Sequence, residues 1–244
     1  MTAQSRDELR SALLTGLRQA ATALFIMAVP VFLLTTNVRL AFDSLALYRF
    51  GFEQYDVTST TGLSMDQLMD VATEIRDYFN SPDELLDVQV TLAGEVRPLF
   101  NERETLHMQD VKGLVRAVHA VQMLSGLYLL GYAAVVLAYG RWRGARAVAR
   151  RLALGCVSAV ALLAVGGLAS LVGFDQLFYS FHVISFAAGT WTFDPRYNYL
   201  TRLFTEEFFM QAALIVAAAV ILEALAIAAA ALAAMKWLSR RGQS

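Results

Sequence analysis

Four stretches of this chain are apolar for long enough to cross a lipid bilayer, and a soluble fold of this size has no use for all of them. A span needs roughly 20 predominantly apolar residues to cover about 30 Å of hydrocarbon. Residues 18–36, 117–139, 152–174 and 212–237 each meet that length. The first is built on an apolar core at 20–34 in which Pro30 offers a place for a kink. It is too long for a signal-peptide core and lacks a convincing cleavage site, so it reads as an uncleaved anchor. Composition agrees, with 57% hydrophobic and 17% charged residues against about 45–50% and about 25% in soluble domains. The expected fold is an α-helical integral membrane protein, with four transmembrane helices and a small α+β extracytoplasmic cap.

Charge sets the orientation. The loop at 140–151 carries Arg141, Arg143, Arg146, Arg150 and Arg151 with no acidic residue, so it should be cytoplasmic. The tail at 1–17 holds Arg6 and Arg10, with Arg18 at its border, and the tail at 238–244 holds Arg240 and Arg241, with Lys236 just before it. Both termini are therefore expected inside, and the segments 37–116 and 175–211 outside, where together they form the cap. The net charge of -1 gives no reason to expect a nucleic-acid partner. Cys156, the only cysteine, lies in an apolar run and reads as a small core residue, with neither a disulfide framework nor a thiolate motif.

Within the spans, Gly166, Gly167 and Ser170 let a neighbouring backbone approach closely. Glu223 falls near the middle of the fourth, where a carboxyl is costly and marks a functional candidate or a polar contact between helices. Tyr128 and Tyr132 of the second span sit at similar depth, so a protonated Glu223 could hydrogen-bond one of them.

The cap has legible local structure. Ser64 and Gln67 have capping-box spacing, and Met65, Leu68, Met69, Ala72, Ile75 and Phe79 follow at helical intervals, which predicts an amphipathic helix over 64–80. After Pro82, Val88, Val90 and Leu92 alternate and Gly94 supplies a turn, which predicts a hairpin. Asn101 and Glu104 form a second capping signal, opening a helix that runs into the second span. A surface helix is expected over 198–209 from Leu200, Phe204 and Phe208. Phe178, Tyr179, Phe181, Phe186 and Trp191 suit a membrane interface.

Of three histidines, His107 leads into the second span and His182 follows the third, so two outer segments each bring one imidazole to one depth. Imidazole accepts and returns protons near neutral pH. Glu104 and Asp110 are each three residues from His107 on a helix, placed to orient its ring or raise its basicity. His119 would lie about 18 Å further along and is left out of the site. The plain alternative makes both histidines structural. A metal held by His107, Asp110 and His182 is chemically conceivable, but the chain has no His-Glu-x-x-His motif, and neither metal nor cofactor is expected. Nucleophile elbow, phosphate loop and Cys-x-x-Cys are all missing from the sequence, which removes support for a serine hydrolase, a nucleotide-driven pump and a thiol enzyme.

The run Phe100-Asn-Glu-Arg-Glu-Thr-Leu-His-Met-Gln-Asp-Val-Lys112 resembles the Phe-Asn-x-Arg-Glu-x-x-His-Met-x-Asp-Val-Lys signature of a bacterial integral membrane family that includes lipoprotein intramolecular transacylase. Phe181-His182, Phe186, Trp191, Asp194-Pro195 and Glu207-Phe-Phe209 resemble its second histidine block, and Tyr55, Thr61-Gly62 and Tyr78-Phe79 its early cap positions. The chain departs from the pattern at Ala187-Ala-Gly-Thr190, where an Asn-rich turn is usual, at Tyr197-Asn-Tyr199, and at Thr205, where proline is common. The resemblance implies location in the bacterial cell membrane, and catalysis by His107 and His182, with Arg103, Glu104, Asp110, Lys112, Phe181, Trp191 and Asp194 supporting them or binding substrate. It also implies a reaction, in which the sn-2 acyl chain of a diacylglyceryl lipoprotein moves to the α-amino group of its N-terminal cysteine. Either histidine fits the role of base. The partners implied are membrane lipid and the lipoprotein N-terminus, in an assembly state that the sequence leaves open. The rival expectation, from another class, is a non-catalytic multi-pass protein whose cap binds lipid or a protein partner.

Overall fold

The structure, a computed structural model, describes residues 3–241; within that range the side chains of residues 3–5, 8–9, 169–172 (Ser170 among them) and 241 lie outside the described residues, as does the C-terminal end of the expected tail. The elements are α1 (Ala3–Asp43), α2 (Leu45–Gln54), α3 (Val57–Thr61), α4 (Met65–Asn80), β1 (Gln89–Leu92), β2 (Glu95–Pro98), α5 (Glu102–Ser185), α6 (Tyr199–Leu203) and α7 (Glu206–Arg241). Three helices, α1, α5 and α7, are long and apolar enough to cross a membrane. The expected second and third spans and the basic loop between them all fall within the 84 residues of α5.

A straight helix of that length would reach about 126 Å, but α5 turns back on itself. Arg141 takes the left-handed φ of 45°. Gly144 lies so close to the Val136 carbonyl that any side chain there would collide with it. In a straight helix those residues would stand about 12 Å apart. Gly140 and Gly144 bracket the reversal, and glycine is what lets the two backbones meet.

By its contacts the chain divides into two compact units, one of residues 1–36, 120–165 and 218–244, the other of 37–119 and 166–217. In the first, the polar groups of α5 bond to α1. The Tyr128 hydroxyl donates to the Ala21 carbonyl at 2.8 Å, the Tyr132 hydroxyl shares a bond with Thr22 Oγ1 at 2.9 Å, and Gln122 Nε2 donates to Thr36 Oγ1 at 3.1 Å. Pro30 lacks the N–H that would bond the Ile26 carbonyl, and Gly155 approaches that carbonyl and Val29 with no room for a Cβ. Small residues on the second limb thus admit α1 closely, the packing that replaces a hydrophobic driving force in lipid. Cys156 is buried, as expected of a core residue. Glu223 is half-buried next to the fully buried Ala224.

The second unit is built around α4. Its capping box is present, Ser64 and Gln67 exchanging side-chain and backbone bonds. One face of α4 buries Leu68, Val71, Ala72, Ile75, Tyr78 and Phe79 against Phe52, Leu63, Val88, Val90, Phe100 and Leu203. The hairpin pairs β1 and β2 antiparallel from Gln89 opposite Pro98 to Leu92 opposite Glu95. Its turn residues Ala93 and Gly94 both have positive φ, 54° and 86°, as a two-residue hairpin loop of primed type requires.

The single helix expected over 198–209 is two. α6 ends at Leu203, Phe204 leaves helical geometry with φ −129° and ψ 86°, and α7 starts at Glu206. Thr205 is the reason, since its hydroxyl accepts from the Phe208 N–H at 3.3 Å and Glu206 and Glu207 complete an acidic first turn. A new N-terminus outcompetes continuation of the old helix.

Candidate active site

All of the candidate site lies in the second unit, assembled from both ends of α5 and the loop that follows it. Asn101 caps α5 by accepting from the Glu104 N–H, and the Asn101 N–H in turn donates to Glu104 Oε2 at 3.0 Å. This fixes the first turns, and with them Arg103, Glu104 and His107. The last turns carry Phe178, Phe181 and His182, and Phe186 ends the helix, its N–H donating to the His182 carbonyl at 2.9 Å.

The two imidazoles stack with centroids 6.3 Å apart and planes 18° from parallel. Phe186 touches both, at 4.7 Å from His107 and 5.4 Å from His182. Phe178 lies 4.3 Å, Trp191 5.0 Å and Phe181 5.4 Å from the His182 ring. Phe193, which sequence reasoning missed, stands 5.4 Å from His107. Its only signal was alternation with Trp191 along an irregular loop.

The histidines differ electrically. His182 Nδ1 lies 2.7 Å from the Phe178 carbonyl. A carbonyl only accepts, so Nδ1 carries the proton and Nε2 presents the lone pair. His107 is 9% exposed, and its Nδ1 is the buried side-chain atom without a partner among the described residues. Burial, and after it the nearby His182, push its pKa down to about 4. The basicity expected from a neighbouring carboxylate is therefore reversed. Glu104, 1% exposed, accepts from the Leu200 N–H at Oε1 at 2.8 Å as well as from the Asn101 N–H at Oε2, and Asp110 is exposed. Glu104 instead pins the start of α5 to the start of α6, which closes the ends of the 186–198 loop. Glu104→Gln replaces one accepting oxygen by an amide nitrogen facing a backbone N–H. It is expected to cost about 2–3 kcal/mol, read as a fall in thermal melting of the purified protein. An unchanged melting temperature would remove the clamp.

Arg103 holds the same loop from its other side, donating from Nη2 to the carbonyls of Gly189 at 3.0 Å and Thr192 at 3.3 Å, with its guanidinium 5.7 Å from the Phe193 ring. Gly189 has φ 84°, a left-handed conformation that lets the loop turn at this point. Asp194 is engaged by Arg196 at 2.6 Å, which holds its carboxyl below the usual carboxylate range. Lys112, 2% exposed, is not among the ring contacts. Its Nζ donates to the Asp83 carbonyl at 2.6 Å and sits 3.8 Å over the Tyr78 ring, tying α5 to the loop after α4. Among the described residues no three His, Cys, Asp or Glu side chains gather, so the set of His107, Asp110 and His182 is not assembled.

A long-helix membrane protein carrying a stacked imidazole pair in an aromatic pocket is the class that fold and site define. The family model described as lipoprotein intramolecular transacylase Lit matches residues 23–209, and the chain belongs to that family. Solved structures of the membrane-integral lipoprotein intramolecular transacylase Lit from Bacillus cereus share its fold. One superposes with a TM-score of 0.68 at 16% identity, covering 94% of this chain and 99% of that one. A variant of the same protein with one histidine changed to arginine gives a TM-score of 0.72 at 16% identity over 98% of each chain. A third, with histidine changed to alanine, gives 0.71 at 15% identity over 96% of this chain and 99% of that one. No curated protein sequence matches the chain.

Proposed function

We propose that this protein is a membrane acyltransferase that moves the sn-2 acyl chain of a diacylglyceryl lipoprotein to the amine of its N-terminal cysteine. The observation that carries the reading is the pair His107 and His182, stacked at 6.3 Å with the tautomer of His182 fixed from outside the pair. The cysteine nitrogen attacks the ester carbonyl carbon and a tetrahedral oxyanion forms. His182 Nε2 takes the proton of the attacking nitrogen and returns it to the sn-2 oxygen as the ester C–O bond breaks. An N-acyl bond and a free glyceryl hydroxyl result, with nothing gained or lost. His107, neutral because its pKa is near 4, donates an N–H to the oxyanion, as a neutral imidazole can where an imidazolium is too costly to bury. Donor and acceptor belong to one substrate, so the aromatic pocket contributes chiefly by holding them together.

The same reading takes the two limbs of α5 as separate spans, giving four with α1 and α7, in the bacterial cytoplasmic membrane with both termini inside. The basic, acid-free loop at 140–151 supports that orientation.

Transfer within one molecule leaves its mass unchanged, so the test must read the amine. The protein is expressed in a host lacking N-acyl lipoproteins. A reporter lipoprotein is then labelled with an amine reagent and its N-terminal fragment sequenced by mass spectrometry. The expected result is an unlabelled, acylated cysteine nitrogen. A reporter that stays fully labelled, yet copurifies with the protein, would instead favour a cap that only binds lipoprotein.

A further inference from the structure

The aromatic rings against the imidazole pair are not equally fixed. Phe178 and Phe181 stand on the last turns of α5 and Phe186 caps it, so helical bonds hold their backbone. Trp191, against His182, and Phe193, against His107, stand instead on irregular chain. One ring of this short segment lies on each imidazole, within one unit of the fold.

The backbone between those two rings is loosely held. On one side, residues 187–190 form a turn bonded within itself, the Thr190 N–H and hydroxyl both donating to the Ala187 carbonyl. On the other, the Tyr197 and Asn198 N–H groups donate to the Asp194 carbonyl, the Asp194 N–H donates to Asn198 Oδ1, and Arg202 ties this second turn to α6 through the Pro195 and Arg196 carbonyls. Between the two turns the Thr192 carbonyl accepts from Arg103, and residues 191–193 make no other backbone hydrogen bond among the described residues. Arg103 is itself exposed, so its bonds to the Gly189 and Thr192 carbonyls exchange with water and are cheap to break. The chain enters the segment through Gly189, whose positive φ glycine adopts without strain.

His107 is 9% exposed and its Nδ1 is closed to water. On the transacylase reading an ester carbonyl, with two acyl chains behind it, must come within hydrogen-bond reach of this ring. Rings on helical backbone can only change rotamer, whereas the Trp191–Phe193 segment can move as a whole. Thr192 and Phe193 also border an open groove of about 670 Å³, several times the volume of a phenyl ring, into which Phe193 can turn. We propose that Trp191-Thr192-Phe193 is a lid on the imidazole pair, hinged at Gly189 and latched by Arg103, which lifts to admit the substrate's glyceryl ester and closes behind it. The proposal rests on the transacylase reading for the identity of what enters. Arg103 is then a positioning residue, acting on the pair through the rings it holds in place, and the closed lid keeps water from the ester.

The test follows Trp191 itself. With Trp142→Phe and Trp237→Phe it is the only tryptophan left of three, and its fluorescence is read in the full chain in detergent micelles. The probe is a diacylglyceryl-cysteine amide whose sn-2 ester is replaced by an ether, so that it binds without reacting. On rapid mixing, the observed rate should level off as probe concentration rises, because lid opening then limits entry. Arg103→Gln should leave the melting temperature in place, raise that ceiling about tenfold and make Trp191 of the free protein about twofold more open to quenching by acrylamide. Gly189→Ala, whose methyl group meets no atom but strains the positive φ of the closed lid, should shift both in the same direction. A rate that climbs in proportion to probe concentration throughout overturns the lid, as does a ceiling that Arg103→Gln leaves in place. Should the probe give no signal, quenching decides, and a Trp191 that Arg103→Gln leaves equally shielded overturns the lid as well. A raised ceiling in a protein that leaves the reporter lipoprotein unacylated keeps the lid and removes the transacylase reading, and acylation with a proportional rate does the reverse.

Discussion

His182→Ala is expected to lower kcat for N-acylation of the reporter by about 10²–10⁴-fold while leaving thermal stability nearly unchanged. The first half follows from the hydrogen bond of Nδ1 to the Phe178 carbonyl at 2.7 Å. That bond does for the ring what a carboxylate does in a hydrolase triad, holding the tautomer and aiming Nε2. The second half follows from position. His182 is half-buried in the last turn of a long helix, its bond is local, and the rings around it pack on one another as well as on the imidazole. Single-turnover acylation with a synthetic diacylglyceryl peptide, followed by fragment mass spectrometry, separates the chemical step from substrate release. Wild-type turnover in the variant would end the assignment of His182 as base. On the proposed function the pair acts as one unit, so removing His107 as well should add far less than its single effect.

Much of the fold is legible because short signals and long-range packing agree. Ser64 and Gln67, Asn101 and Glu104, and the turn at Ala93 and Gly94 each state a local geometry that the core then uses. Where sequence reasoning failed, one side chain carried two compatible messages. Glu104 stands three residues from His107 and also three from Asn101; capping and the Leu200 N–H took both oxygens, so none remained for the imidazole. The stretch from Tyr199 to Phe209 has helical spacing throughout, yet Thr205 with Glu206 and Glu207 starts a new helix inside it. The loop contributor Phe193 joins His107, some ninety residues away, and no periodicity encodes such a contact. The reversal at Arg141 was foreseen as a loop between spans, whereas the chain turns with helical residues almost throughout. His107 and His182 are legible as imidazoles that two outer segments bring to one depth, whereas their unequal character only the packing reveals.

That inequality gives the second large effect. His107→Phe should lower turnover by roughly 10²–10³-fold, as loss of one oxyanion donor does, yet make the fold more resistant to acid. In the unfolded chain a histidine titrates near 6.5, whereas in the folded protein burial and His182 hold His107 near 4. Between those values the unfolded state carries a proton that the folded state refuses, so stability rises with pH across the window and falls as pH drops through it. At pH 5 the wild-type protein should already have lost about 2 kcal/mol from this residue alone, approaching about 3 kcal/mol near pH 4. Phenylalanine cannot take up the proton. Whatever fixed offset its larger ring introduces, the stability gap between variant and wild type should widen in the variant's favour from pH 7 to pH 5. Melting curves in one detergent across that range measure it, and parallel curves for the two proteins would mean that His107 is hydrated or paired rather than buried and neutral. On the proposed function, a group that costs stability in acid and whose buried Nδ1 has no partner among the described residues is kept for what it does to a bound substrate.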